Sequence, residues 1–364
     1  MKLKTAAKTA AVGLVAAALI LCEAPTFAKK PKYEITLKSP SKSEVVNITN
    51  ENVMFWWDEY EKYSSAENFE LEELTTPSPV KLKWKGKKGY TYKVSLSVSP
   101  KFRDKAVYKT KKNSVKLYNL LRSTRYYWKV TGKEGKKTII SKTRSFRTKD
   151  IARVIGASCV YNARDIGGYP TADGGRTLQG RVYRSAELDD IDGEGIKTLK
   201  KKLKIKTDLD LRQEGEGTAG TRSPVFDNYI HNKGTSYLKI FENDDSRVRF
   251  VNALRVFADS RNYPILVHCV YGRDRTGTLV FVLNGLLGVS RKNLYRDYEL
   301  SFLTCKGSTK ARKYIEQFDA LYKTMRSYMD KNESLSDNIR CYLLDSGMTE
   351  EEIESIKSNL LKSK

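Results

Sequence analysis

The ten residues His268-Cys269-Val270-Tyr271-Gly272-Arg273-Asp274-Arg275-Thr276-Gly277 constrain this 364-residue chain more than any other stretch. Tyr263-Pro264-Ile265-Leu266-Val267 predicts a short buried strand ending at the cysteine, and Thr278 to Leu287 is apolar enough for a buried helix. Strand, short loop and helix in direct succession call for a layered α/β domain, in which the strand is covered by the helix that follows it. A cysteine and an arginine six positions apart can close the loop between them around one phosphate dianion. The loop's N–H groups then point inward, the sulfur sits below, and the guanidinium forks onto two phosphate oxygens.

The residue types set the chemistry. A cysteine at its ordinary pKa is mostly thiol at neutral pH; an arginine, a helix N-terminus and a ring of amides favour the thiolate and make it a nucleophile. Cys269 and Arg275 are therefore the candidate catalytic pair, and Val270, Tyr271, Gly272, Arg273, Asp274, Arg275 and Thr276 the candidate phosphate-binding loop. Thr276 can offer its hydroxyl to the sulfur, Gly272 and Gly277 permit close backbone approach, and His268 is expected to orient the loop. A lone cysteine in an apolar stretch is more often an inert small hydrophobe. The glycine, arginine and threonine at these offsets outweigh that reading.

The pattern His-Cys-x-x-Gly-x-x-Arg-Thr-Gly resembles the signature of cysteine-dependent protein tyrosine phosphatases. With Asp just before Arg it looks like a bacterial branch that includes secreted phosphatases of mycobacteria and Listeria. Three further segments agree: Asn162-Ala163-Arg164-Asp165-Ile166-Gly167-Gly168-Tyr169, Gly180-Arg181-Val182-Tyr183-Arg184-Ser185-Ala186-Glu187-Leu188 and Thr207-Asp208-Leu209-Asp210-Leu211-Arg212. The resemblance covers roughly Lys149 to Lys364. It implies hydrolysis of phosphomonoesters through a phosphocysteine, with no cofactor or metal. It also implies that the general acid does not come from a separate mobile loop. Asp274, Asp210 and Asp165 compete for that role, with Asp274 first and bracing of the loop as its other reading.

The family pattern usually has Lys where this chain has Arg273. A second cation at the pocket mouth would suit phosphoinositides or inositol phosphates as well as phosphorylated proteins. Arg164 and Arg184 add either to this charge or to internal ion pairs with Asp165, Glu187 or Asp210. Two other classes compete: an inactive phosphate-binding module beside an adhesive β-sandwich, and the arsenate reductases or sulfur transferases that also carry Cys and Arg in one loop. Intact Cys269, Arg275 and Thr276 weigh against the first, and the Asn-x-Arg-Asp-x-Gly-Gly segment against the second.

The chain is expected to hold two domains behind a leader. Lys2, Lys4 and Lys8, an apolar run from Ala10 to Leu21 and Thr26-Phe27-Ala28 read as a cleaved secretory signal over residues 1–28, with a lipoprotein anchor at Cys22 the competing reading. Residues 29–150 are expected to form an all-β sandwich and 151–364 the α/β phosphatase domain, with a central sheet flanked by helices. Val80 to Trp84 and Tyr92 to Val98 alternate apolar and polar residues, and Val115 to Tyr118, Arg125 to Val130 and Thr138 to Arg147 supply further strands. Leu121 to Trp128 resembles the corner of fibronectin type III domains, where a tyrosine hydroxyl ties back to backbone. Trp56, Trp57, Trp84 and Trp128 are expected in this sandwich's core. Asp58 to Leu74 reads as a helix or an ordered insertion.

Charge is unevenly spread. Lys29 to Thr148 carries 28 Lys and Arg against 12 Asp and Glu, most of the chain's net +24. A basic exported module is expected to adhere to anionic wall polymers or acidic lipids. Nucleic acid is not an expected partner, because the lysines alternate along strands and no nucleic-acid-reading motif is present. In the second domain, Ile196 to Leu203, Ser246 to Ala258, Leu294 to Leu303 and Ala311 to Met329 read as helices and Lys204 to Leu211 as a strand. The apolar stripe of the second helix is Val248, Val251, Leu254 and Phe257 or Ala258. A last helix starts at Thr349, with Glu352 completing a capping box. Of Cys159, Cys269, Cys305 and Cys341, the three besides the nucleophile are expected as buried free thiols, with a reversible bridge from Cys269 to one of them as the other reading.

Overall fold

The computed structural model describes residues 33–60, 77–304 and 311–362. The leader, most of the Asp58 to Leu74 segment and Cys305 lie outside the described residues. Strands β1 (Tyr33–Ser39), β2 (Val45–Val46), β3 (Val80–Lys85), β4 (Thr91–Ser97), β5 (Lys105–Thr110), β6 (Ser114–Leu117), β7 (Arg125–Glu134), β8 (Lys137–Ser141) and β9 (Arg144–Thr148) occupy the first part of the chain. β3 runs antiparallel between β1 and β6, while β4 runs antiparallel between β5 and β7. β7 continues to β8 and β9, and β1 also pairs with β8 in parallel. Alternation places Val80, Leu82 and Trp84 of β3 and Tyr92, Val94 and Leu96 of β4 in the core, with Lys81, Lys83 and Lys85 exposed. Trp84 meets Tyr92 edge-on at 5.4 Å. The Tyr126 hydroxyl accepts the Leu121 N–H at 2.8 Å.

Three details depart from the sequence reading. Thr138 to Arg147 is two strands, not one, and β5 is an added strand whose residues are largely exposed. Residues 51–58 form a helix, α1 (Glu51–Asp58), capped by the Asn50 side chain on Val53 N. Trp57 therefore lies outside the strand core, its ring 6.4 Å from that of Tyr169 in the second half of the chain.

The second half is built on six strands: β10 (Arg153–Val154), β11 (Arg164–Asp165), β12 (Val182–Ser185), β13 (Thr207–Asp210), β14 (Asn228–His231) and β15 (Ile265–His268). Their order is β10-β11-β12-β15-β13-β14, and the last four run parallel. Helices α2 (Gly193–Ile196), α3 (Asp244–Arg255), α4 (Asp274–Leu286), α5 (Arg291–Thr304), α6 (Ala311–Arg326), α7 (Leu335–Asp345) and α8 (Glu350–Leu360) complete the domain, α2 running into a π-helical turn at Lys197–Lys202. The α8 capping box is present, with Thr349 and Glu352 each bonding the other's backbone N–H. Val251 and Leu254 of α3 and Phe257 just past it are buried as the predicted stripe requires, Phe250 and Ala253 widen that face, and Val248 is exposed. Among the described cysteines, all free, Cys269 is buried, but Cys159 is exposed and Cys341 half-buried, so the expected burial of the other thiols is corrected at both.

Candidate active site

The parallel register brings Ser185, His268, Asp210 and His231 side by side at the C-terminal edge of the sheet. Ligands in α/β sheets bind at this edge. Cys269 follows β15 directly and is 2% exposed; α4 begins at Asp274, inside the motif. Between them the chain turns tightly at Gly272, whose φ is +64°. A Cβ there would lie 2.1 Å from the Ser185 carbonyl oxygen, so glycine is required both for conformation and for space.

The loop's carbonyls are claimed from outside. Val270 O accepts from Glu187 N at 3.1 Å, Tyr271 O from Asn162 Nδ2 at 2.9 Å, and Gly272 O from Arg184 Nη2 at 2.6 Å. A trans peptide points its N–H opposite to its C=O. Fixing these carbonyls outward therefore turns the N–H groups of Tyr271, Gly272 and Arg273 toward the loop's interior. The result is a concave set of donors at a helix N-terminus, above a buried cysteine. Thr276 Oγ1 is fully buried and has no hydrogen-bond partner among the described residues, which leaves it available to the sulfur or to a bound group.

Arg164 and Arg184 do not reach a substrate. Both are buried and share Asp297 of α5, Arg164 Nε at 3.1 Å and Arg184 Nη1 at 2.5 Å. Burial opposes the Asp297 charge, yet the two guanidiniums outweigh it and hold the pKa below its ordinary value. Burial, with Arg164 beside it, pulls Arg184 down to about 10. None of the three partners expected for this arginine pair is the one used. Asp165 instead pairs with Arg153 at 2.6 Å and accepts the N–H groups of Gly167 and Gly180.

Asp210 is fully buried and saturated. It accepts from Arg212 N at 2.9 Å, from the Arg212 guanidinium and from the Tyr229 hydroxyl at 2.9 Å. Burial raises its pKa, but His268 and Arg212 dominate and lower it, so it stays ionised. His268 Nε2 lies 2.9 Å from Asp208. Burial works against a charged ring there, but Asp208 and Asp210 together hold the His268 pKa above its ordinary value.

Arg273 is not at a pocket mouth. Its side chain is buried, stacked 3.7 Å from the Tyr314 ring, and its Nε donates to Asp274 Oδ1 at 2.9 Å. The expectation of a second phosphate-facing cation there is corrected: the planar guanidinium stacks on aromatic faces, which a lysine would do less well. Asp274 keeps a side chain 24% exposed, is held by Arg273 and also accepts from the Tyr237 hydroxyl. Tyr237 adopts a left-handed φ of +55° and lies 2.5 Å, oxygen to oxygen, from Tyr298. Such backbone strain in a bulky residue is common at functional sites.

Arg275 is the cation that remains at the loop, and its fork is held by a residue the sequence reading passed over. Nη1 and Nη2 donate to the two Glu216 oxygens at 2.6 and 3.1 Å. Burial opposes the Arg275 charge, but Glu216 and the nearby Cys269 raise its pKa. An acidic residue between Gly215 and Gly217, just past the Asp-Leu-Arg strand end, was the available signal.

The pattern that defines the tyrosine phosphatase family matches residues 155–362, more than half of the chain. The chain belongs to the tyrosine phosphatase family. It is similar to inositol diphosphatase DSP5 of Arabidopsis thaliana, 37% identical over 71 residues, 20% of this chain and 34% of that protein. It is also similar to inositol diphosphatase DSP2 of Oryza sativa subsp. japonica, 34% identical over 67 residues, 18% of this chain and 32% of that protein. The chain thus spans about a third of the length of these curated relatives. The core catalytic domain of the S. cerevisiae PP-IP phosphatase SIW14, solved with citrate, aligns at 21% identity and a TM-score of 0.28, over 42% of this chain and 83% of that one. Within this member of the family, Cys269, the inward amides and Arg275 form one concave site, braced by Asn162 and Arg184.

Proposed function

We propose that the chain is a cysteine-dependent phosphomonoesterase acting on phosphotyrosine and on phosphoserine or phosphothreonine. The observation that carries this reading is the loop itself: its carbonyls are fixed outward, so its amides converge above Cys269. The Cys269 thiolate attacks phosphorus, a P–S bond forms, and the P–O bond to the leaving group breaks. Arg275 and the amides hold the three equatorial oxygens. Asp274 gives its proton to the leaving oxygen. It then takes one from the water that splits the phosphocysteine, returning thiolate and inorganic phosphate. Of the three aspartates, Asp274 alone has an accessible side chain; those of Asp210 and Asp165 are fully buried. Thr276 stabilises the departing thiolate.

The names of the relatives favour a second reading, in which the substrate is an inositol phosphate. The burial of Arg273 removes one cation from the rim and weakens that reading. For the rest of the chain we read residues 29–150 as a fibronectin type III-like sandwich. The antiparallel sets β1-β3-β6 and β5-β4-β7 and the Tyr126 corner support it. The Met1–Ala28 pattern supports export, and the lysine-rich strands support contact with an anionic surface polymer or lipid.

Hydrolysis of p-nitrophenyl phosphate without added metal is the expected activity. Cys269→Ser should lower it by at least about 10^4-fold, because the nucleophile is not replaceable by its neighbours. Activity that survives this change, or that depends on a divalent ion, overturns the mechanism. A panel of phosphotyrosine, phosphoserine and phosphothreonine peptides against inositol phosphates separates the two substrate readings.

A further inference from the structure

We infer that the N-terminal part of the chain positions the phosphate loop, acting through α5. The inference rests on the functional reading above. Helix α5 presents different residues to two sides. Arg296 and Glu299 face α1: Arg296 Nη2 donates to the Trp57 carbonyl at 2.6 Å, and the Tyr60 hydroxyl donates to Glu299 Oε1 at 2.9 Å. Residues three apart on a helix share a face, so these two contacts form one docking edge.

Asp297 and Tyr298 face the site. Asp297 anchors Arg184, whose other nitrogen holds the Gly272 carbonyl at the tightest point of the loop. Tyr298 touches Tyr237, which donates to Asp274 at the loop's far end. The turn of the loop and its helical end therefore both hang from one helix, and that helix is pinned by the Trp57–Tyr60 segment. A second path converges on the same carboxylate. Arg122, just before β7, stacks 4.5 Å from the Tyr169 ring, and the Tyr169 hydroxyl donates to Asp297 Oδ1 at 3.3 Å.

Asp297 is the point where the two paths meet. It is shared by two buried guanidiniums and takes a third bond from a tyrosine that the N-terminal part holds in place. Loosening α1 or Tyr169 lets Asp297 and its arginines shift. The Gly272 carbonyl then loses its fixed direction, and the amide that follows it no longer faces the phosphate. Trp57, Tyr60, Arg122 and Tyr169 are positioning residues in this scheme.

The test uses the full chain carrying Trp57→Leu, Trp57→Phe or Tyr169→Phe. Each variant is assayed for p-nitrophenyl phosphate kinetics, for inhibition by inorganic phosphate and for thermal melting. Trp57→Leu and Tyr169→Phe should raise the phosphate inhibition constant and lower kcat/KM about three- to thirty-fold, the span of coupling energies in such networks. Trp57→Phe, which keeps an aromatic ring against Tyr169, should restore most of the loss. A purely structural role would lower the melting temperature and leave phosphate inhibition of the folded enzyme unchanged; that result overturns the inference. Should Trp57→Leu not fold, Tyr169→Phe decides alone, since it removes one hydroxyl. A wild-type chain that neither hydrolyses the ester nor binds phosphate sinks the functional reading as well, whereas an active wild type with unmoved variants sinks only the positioning role.

Discussion

Strand β3 and strand β13 put their charges in opposite places. In β3, Lys81, Lys83 and Lys85 point to water and three apolar residues point inward. In β13 every residue is buried, and two of the four, Asp208 and Asp210, are acids. A charge in water needs no partner, so the lysines of β3 cost little and fix little. A buried charge must be paired and hydrogen-bonded or it is strongly destabilising. The site domain uses that necessity: Asp210 fixes Arg212, and Asp297 fixes the arginine that holds a loop carbonyl. The charges that look least economical are those that give the loop its shape.

The largest expected effect breaks one of these pairs. Asp210→Asn takes one carboxylate from buried Arg212 and His268, with Asp189 and Asp208 still beside them, and should cost about 3 kcal/mol in urea unfolding, the low end for breaking a buried pair. Lys83→Gln, on the exposed face, should stay within about 0.5 kcal/mol of wild type. Equal losses for the two would show that the contrast between the regions is wrong. Gly272→Ala comes next. It forces a side chain into a left-handed backbone and against the Ser185 carbonyl, and about 1–3 kcal/mol of strain is expected, with a matching loss of phosphate affinity.

Acid sharpens the same contrast. The Asp210 and Asp297 pKa values lie below the ordinary 3.8, so their stabilisation is complete above that value. It is lost as pH falls through the depressed folded values. His268 works the other way: its raised pKa stabilises the fold below 6.5 and that share fades as pH rises through the folded value. Urea midpoints between pH 2.5 and 8, chosen as about one and a half units outside these ordinary values, should fall at the acid end. Asp297→Asn should flatten that acid fall, and an unchanged slope would remove Asp297 from the account.

What could be read from the sequence follows from how local the cause was. The loop, its strand and its helix were legible because one short segment carries nucleophile, cation and glycines. The chemistry of Arg184 was legible as burial or binding, but its partner was not, since Asp297 lies on α5, more than a hundred residues further along. Arg273 misled because a cation beside a phosphate loop reads as a ligand until the Tyr314 ring beneath it is seen. Strand β5 carries no alternation to detect, as most of its residues are exposed. The helix α1 hid behind its tryptophans, which read as sandwich core although the Trp57 ring lies against Tyr169 and Arg296.

The smallest expected effect isolates the comparison to a single hydroxyl in each region. In Tyr126→Phe the loss is a neutral bond to the Leu121 N–H, expected to cost about 1 kcal/mol. In Tyr229→Phe the lost hydroxyl donates to the ionised Asp210 and accepts the exposed Gly220 N–H, which water can replace; bonds to charged groups are worth about 1.5–3 kcal/mol. Both changes delete one oxygen and leave a ring of the same shape, so packing differences largely cancel. Tyr229 is the more exposed of the two, and burial alone would therefore predict the reverse order. Thermal melts of the two variants in one buffer thus set charge against burial: a larger loss at Tyr229 favours buried charge as what holds the site domain, and a larger loss at Tyr126 rejects it.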